Sequence, residues 1–121
     1  MKVGVIGTGF GGRVVAPAFN TVPGVEVAEV VSPRDAEAVR KLCQRKDVEL
    51  IGIHSPPFMH REHLALAAAA GKPVLCDKPL GCDAAEARAI RDIAHNAGIK
   101  HFLNVEFRAA PTREKLREIV K

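Results

Sequence analysis

The sequence contains no tryptophan and no tyrosine, and five phenylalanines are its only large aromatic side chains. Proteins that hold single-stranded nucleic acid use aromatic platforms on which bases stack, so that class is disfavoured from the outset. Cysteine is scarce too. Cys43, Cys76 and Cys82 form no C-x-x-C pair, and an odd count leaves one thiol over. This argues against a disulfide framework and makes a reducing cytosol the expected compartment. No apolar run approaches the ~20 residues a membrane-spanning helix needs, the most apolar helical stretch being Leu64 to Ala70. No membrane partner is therefore expected. The chain opens directly on a strand-forming run, so no signal peptide is expected either. Neither sign of charge dominates, with 18 basic and 14 acidic residues giving a net +4. The one basic concentration, Arg108 to Lys121, reads as a solvated helix face rather than a nucleic-acid patch. Internal repeats and low-complexity segments are missing as well.

What is present is the composition of an ordinary soluble domain. With 121 residues, 47% hydrophobic and 26% charged, the chain makes one domain burying about 60–70% of its unfolded surface.

The most informative stretch is Lys2 to Gly12, KVGVIGTGFGG. Val3, Val5 and Ile6 form the short β-branched run of a buried parallel strand. Gly7, Gly9 and Gly12 follow in G-x-G-x-x-G spacing, and a helical stripe begins at Arg13. Gly7 permits the tight turn, Gly9 the approach of a pyrophosphate, and Gly12 the packing of helix on sheet. The free amides and positive end of the helix then face the anion. The turn Gly7-Thr8-Gly9-Phe10-Gly11-Gly12 is thus the predicted cofactor grip, because strand, turn, helix and second strand stand in the required order.

The rest of the chain continues the alternation. Gly11 to Val22 is expected as a helix with Val14, Ala18 and Val22 on its packed face and a kink or a loosened turn at Pro17. Val25 to Val31 is the second strand, ending in Ser32-Pro33-Arg34-Asp35. An acid at that tip selects NAD, whereas a small residue followed by arginine suits a 2′-phosphate. Ser32 with Arg34 favours NADP. Asp35 keeps NAD open, and the same acid serves equally as a helix cap. A helix over Asp35 to Arg45 and a strand over Val48 to Ile53 follow, the latter ending in His54-Ser55-Pro56-Pro57. A helix from His60 to Ala70, a strand Val74 to Cys76, a helix opened by Asp83-x-x-Glu86, a strand Ile99 to Val105 and a helix from Pro111 complete the order. In that last helix Leu116, Ile119 and Val120 form the expected packed face. The fold class predicted is α/β, a Rossmann-type three-layer fold with a mostly parallel sheet of about five strands and helices on both faces.

Four stretches in register carry a family resemblance. They are the glycine turn, Ser55-Pro56-Pro57 with His60, the run Ala70-Gly71-Lys72-Pro73-Val74-Leu75-Cys76-Asp77-Lys78-Pro79, and the closing Asn104 to Pro111. Together they resemble the N-terminal domain of the Gfo/Idh/MocA oxidoreductases, named for glucose–fructose oxidoreductase and inositol dehydrogenase. The resemblance implies an NAD(P)-dependent redox enzyme acting on a sugar, polyol or related carbonyl compound. It implies that Lys78 is catalytic, lying beside nicotinamide and substrate, and that Ser55, Pro56, His60, Asp77 and Pro79 help to hold the cofactor. A lysine at a strand's carboxyl end is also, chemically, a flexible donor to a substrate hydroxyl. Asp77 departs from the family, which carries a glutamate there. The stretch from Ser32 to Val48 is short enough that one edge strand is expected to be missing. The family's second, substrate-binding domain is not expected within residues 1–121, so the isolated chain is expected to turn over little.

His60-x-x-His63 has no third ligand at a suitable spacing, so no metal is predicted. His54, His95 and His101 read as structural or solvent-exposed. The alternative to a cofactor domain is a non-catalytic nucleotide-binding or interaction module, a truncated fragment among them. Such a module would self-associate through an apolar face to which Phe102, Val105 and Phe107 contribute.

Overall fold

The computed structural model describes residues 1–120; Lys121, the last residue of the basic segment, lies outside them. Five strands, β1 (Lys2–Ile6), β2 (Glu26–Val31), β3 (Leu50–Ile53), β4 (Val74–Asp77) and β5 (His101–Asn104), form one sheet in the order β2-β1-β3-β4-β5. Every pairing is parallel. Parallel neighbours need long crossovers, and the helices α1 (Ala16–Asn20), α2 (Ala36–Gln44), α3 (Pro57–Ala69) and α4 (Ala84–Asn96) supply them. Only α2 lies between β2 and β3, so β2 is the sheet edge and the expected further strand is missing.

The two faces of the sheet are unequally covered. On one, α2, α3 and α4 close over Ile6, Ile51, Ile53, Val74 and Cys76 with Val39, Leu42, Leu64, Ala67 and Ile90. On the other, a smaller cluster joins Val3 and Val5 to Ala16, with Phe19, Val27 and Leu50 at its margin. The run begins on one side of β1 and reverses to the other. The crossovers through α1 and α2 therefore fall on opposite faces, and a crevice opens at the carboxyl ends of β1 and β3.

Three expectations need correction. The first helix is not uniform, since Gly11–Val15 is a wide π turn in which the Ala16 N–H bonds back to the Gly11 carbonyl, and regular helix starts only at Ala16. The added residue rotates the packed face, so Ala16 is buried while Val14 is 51% exposed. Pro17 follows this widened turn and lacks the N–H that would bond back into it, so the loosening expected at the proline is met just before it. The third helix starts at Pro57 rather than His60, with Pro56 extended before it. Finally, α5 (Pro111–Ile119) turns its apolar residues outward, Leu116 being 59% and Ile119 71% exposed.

Elsewhere local chemistry follows the sequence. Asp35 caps α2 by accepting the Ala38 N–H at 3.0 Å, and Asp83 caps α4 by accepting the Glu86 N–H at 2.8 Å. Glu86 answers the Cys82 N–H at 2.6 Å, one residue earlier than the usual reciprocal box. Lys72 Nζ donates to the carbonyls of Arg45 (2.8 Å) and Val48 (2.6 Å), tying the turn after α3 to the loop before β3.

Packing around β1 is tight enough to be tested. A Cβ at Gly4 would lie 2.8 Å from Leu42 Cδ1 and 2.9 Å from its Cγ. Gly4→Ala is expected to lower stability by about 1–3 kcal/mol in urea unfolding. In a Leu42→Ala background the same change should cost less, because the crowded γ and δ atoms are gone.

Candidate functional site

The carboxyl ends of β1, β2, β3 and β4 surround a cavity of about 560 Å3. Gly7, Thr8, Gly9 and Phe10 line it from the first turn, Ser32, Pro33 and Arg34 from the second, and His54, Ser55 and Pro56 from the third. Asp77, Lys78 and Glu106 close the far side. The Gly7 N–H is held by the Val31 carbonyl at 2.9 Å, and its φ of +137° is one that a side-chain-bearing residue rarely adopts. Beyond it the chain is bare. Among the described residues the amides of Thr8 and Gly9 make no hydrogen bond, which leaves donors at the start of a helical turn where an anion sits well.

At the other end, Asp77 Oδ1 accepts Asn104 Nδ2 at 2.8 Å and lies 3.0 Å from His54 Nδ1. Burial alone would raise the Asp77 carboxyl, but contact with His54 and Asn104 outweighs it and holds the group below the ordinary carboxylate value. The carboxyl is therefore ionised at neutral pH. Lys78 is half exposed, 3.7 Å from Glu106 Oε1. Its peptide to Pro79 is cis. Lys78 and Glu106 also border a second hollow of about 790 Å3 under α5. That hollow is larger, but it lies off the ends of β1 and β2 and none of the glycine turn reaches it.

The predicted residues divide into those that face the cavity and those that build it. Gly7, Thr8, Gly9, Phe10, Ser32, Arg34, Ser55, Pro56, Asp77 and Lys78 line it. Gly11 and Gly12 lie behind, where a Cβ would meet His54 Cβ at 2.6 Å and Val30 Cγ1 at 3.2 Å. Pro79 stands just outside. His60 does not reach the cavity. It has no exposed surface, with Nε2 2.7 Å from the Ser55 carbonyl oxygen and Nδ1 3.1 Å from that of Leu80, so it ties the loop after β3 to the loop after β4. The Ser55 hydroxyl likewise points away, 2.9 Å from His63 Nδ1. Burial pushes the His63 imidazole below its usual value against the pull of Glu62, so the ring is neutral and Nδ1 can accept that hydroxyl.

Ser32 Oγ accepts the Arg34 N–H at 3.3 Å, and Asp35 is committed to its helix cap. The two buried thiols, Cys43 and Cys76, are inert. Burial, with Asp77 adding, pushes Cys76 up to about 12, and burial pushes Cys43 up to about 11 against the pull of Lys72.

What sequence reasoning missed is the neighbour of His54. The residue reads as structural or exposed, and its buried ring lies 3.0 Å from the Asp77 carboxylate. The available signal was Gly52, a glycine inside an apolar strand, which often marks a close approach by another group.

A parallel sheet whose crevice is edged by a bare glycine turn defines a dinucleotide-binding domain of the Rossmann class. The family described as an oxidoreductase family with an NAD-binding Rossmann fold matches residues 1–105, and the chain belongs to that Gfo/Idh/MocA family. The inositol 2-dehydrogenase of Agrobacterium fabrum is 34% identical over 78% of this chain, and the glucose-6-phosphate 3-dehydrogenase of Bacillus subtilis 29% identical over 88%. Each is matched over 34% of its own length, so the chain spans about a third of these relatives. A solved 3-ketoreductase from Actinomadura kijaniata, in complex with TDP-benzene and NADP, superposes with a TM-score of 0.85 at 28% identity. That match covers 99% of this chain and 43% of the other. No helix of the described residues is long and apolar enough to cross a membrane.

The low value at Asp77 fixes a pH dependence. A carboxyl whose folded pKa lies below its unfolded value of about 3.9 adds stability above that value and loses it as pH falls through the folded one. The stability gap between wild type and Asp77→Asn is therefore expected to be full near neutrality and to close below about pH 4, as followed by denaturant unfolding across pH.

Proposed function

We propose that this chain is the cofactor-holding part of an NAD(P)-dependent oxidoreductase whose substrate is a sugar, a polyol or a related carbonyl compound. One observation carries the reading. A Cβ at Gly9 would meet nothing within 4 Å, so the folded chain itself does not require glycine there. Gly7 and Gly11, by contrast, abut His54 within 2.6 Å. Something outside the chain requires position 9 to be bare, and a diphosphate approaching the Thr8 and Gly9 amides meets that description.

The nicotinamide supplies hydride chemistry when bound; the chain's own groups bind and orient it. Ser32 and Arg34 offer a hydroxyl and a guanidinium at the adenine side, while Asp35 is occupied with the Ala38 N–H. This favours NADP over NAD. Lys78 stands at the opposite end as a mobile cation that can hydrogen-bond a substrate hydroxyl and favour the charge building on its oxygen. The names of the related inositol and glucose-6-phosphate dehydrogenases support a hydroxylated substrate. Holding it about 3–3.5 Å from the nicotinamide falls, on this reading, to a second domain, so residues 1–121 alone take up coenzyme and turn over little. Three free thiols suit a reducing cytosol. No nucleic-acid partner enters the proposal.

Thermal-shift titration tests it. NADP at a hundred times its dissociation constant should add about 2.7 kcal/mol of stability, and NAD at the same concentration less. Gly9→Val should fold as wild type does and lose the response. Undiminished uptake by that variant would overturn the reading.

A second reading, an interaction module, has its own support. Phe102 (63% exposed), Val105 and Phe107 present apolar surface beside the part of the sheet that α1 does not cover. On that reading light scattering should show association rising with concentration, and a monomer throughout would refute it.

A further inference from the structure

His54 occupies a space that three separate segments leave empty. A Cβ at Gly52 would lie 2.7 Å from its Nε2, one at Gly11 2.6 Å from its Cβ, and one at Gly7 2.5 Å from its carbonyl oxygen. The His54 N–H donates to the Ile6 carbonyl at 2.8 Å, so the residue bridges β1 and β3 just where the order of the strands reverses. Its ring has no exposed surface. An apolar side chain would fill such a place with less difficulty, because a buried polar ring is unfavourable unless it is partnered. The partner is Asp77. His54 Nδ1 is at ion-pair distance from Oδ1, although out of hydrogen-bond alignment, and Nε2 has no hydrogen-bond partner among the described residues.

The same Oδ1 accepts Asn104 Nδ2 from β5. One carboxylate oxygen is thus gripped from β3 and from β5, across the end of β4. Among the described residues Oδ2 makes no hydrogen bond, and Asp77 lines the cavity. Asp77 is also the residue before Lys78, so whatever fixes its side chain fixes the strand end from which the lysine departs. The imidazole meets that side chain from the β3 side.

We propose that His54 is a positioning residue for the nicotinamide end of the cofactor site, holding Asp77 so that its carboxylate meets a hydroxyl or amide donor of the nicotinamide riboside. The inference rests on the cofactor reading above. Through its carbonyl at Gly7 and its Cβ at Gly11 the same residue backs the diphosphate turn, so the test must separate the two ends.

The separating probes are NADP and ADP, which share a diphosphate, while only NADP carries the nicotinamide riboside. His54→Leu is expected to weaken NADP about tenfold, the loss of one hydrogen bond to a charged group, and to leave ADP unchanged. His54→Asn, which keeps a donor near the place of Nδ1, should restore most of the NADP affinity. In an Asp77→Asn background the His54 substitution should change NADP affinity no further. If the leucine variant does not fold, His54→Phe keeps a ring without a donor. Equal losses for NADP and ADP, or no loss for either, would overturn the proposal.

A ligand-free measurement stands beside it. Carbon-13 NMR of the Asp77 carboxyl should show its titration midpoint rising in His54→Leu and staying low in His54→Asn; an unmoved midpoint in the leucine variant would also overturn it. Should wild type take up no NADP at all, the cofactor reading fails instead, and the Asp77 titration still decides whether His54 holds the carboxylate.

Discussion

A parallel strand buried on both faces must bond its backbone to a neighbour on each side, and β1 lives under that constraint. Val3, Val5 and Ile6 have no exposed surface, and β1 pairs along its length with β2 on one side and β3 on the other. A chain that begins in the middle of its own sheet has to leave in one direction and come back in the other. The crevice at the reversal follows from that path and needs no special sequence. What the sequence adds is the lining. Gly7 forms one lip after Ile6, and His54 forms the other after Ile53.

The strands and helices were legible because each carries its own period, and the caps because Asp35 and Asp83 precede their helices directly. The packed face of the first helix was not legible. A regular period through Val14, Ala18 and Val22 cannot reveal a π turn, since one added residue turns the packed face without changing the apolar pattern. The apolar stripe of α5 was read correctly as a stripe and wrongly as buried, because periodicity identifies a face without naming what covers it. Most of the candidate site was legible from the glycine spacing and the Asp-Lys-Pro turn. The surroundings of His60 and His54 were not legible. A histidine's role depends on what faces its two ring nitrogens, and His60 faces two carbonyls while His54 faces a carboxylate.

The glycines of the turn fall into two kinds. Gly7 and Gly11 are bare because the chain's own atoms fill the space, whereas nothing in the folded chain claims the space at Gly9. Motif spacing cannot draw this distinction, since all three are written with the same letter. The geometry draws it at once: packing demands that Gly7 and Gly11 be bare, and makes no such demand at Gly9.

Asp35 is the acid nearest the tip of β2, and its carboxylate already closes the first turn of α2. The capping oxygen, Oδ1, holds the whole carboxylate beside the helix start. Turning that side chain toward the crevice would accordingly release the Ala38 N–H and loosen the first turn of α2. The tip of β2 and the integrity of α2 are therefore tied together through one side chain.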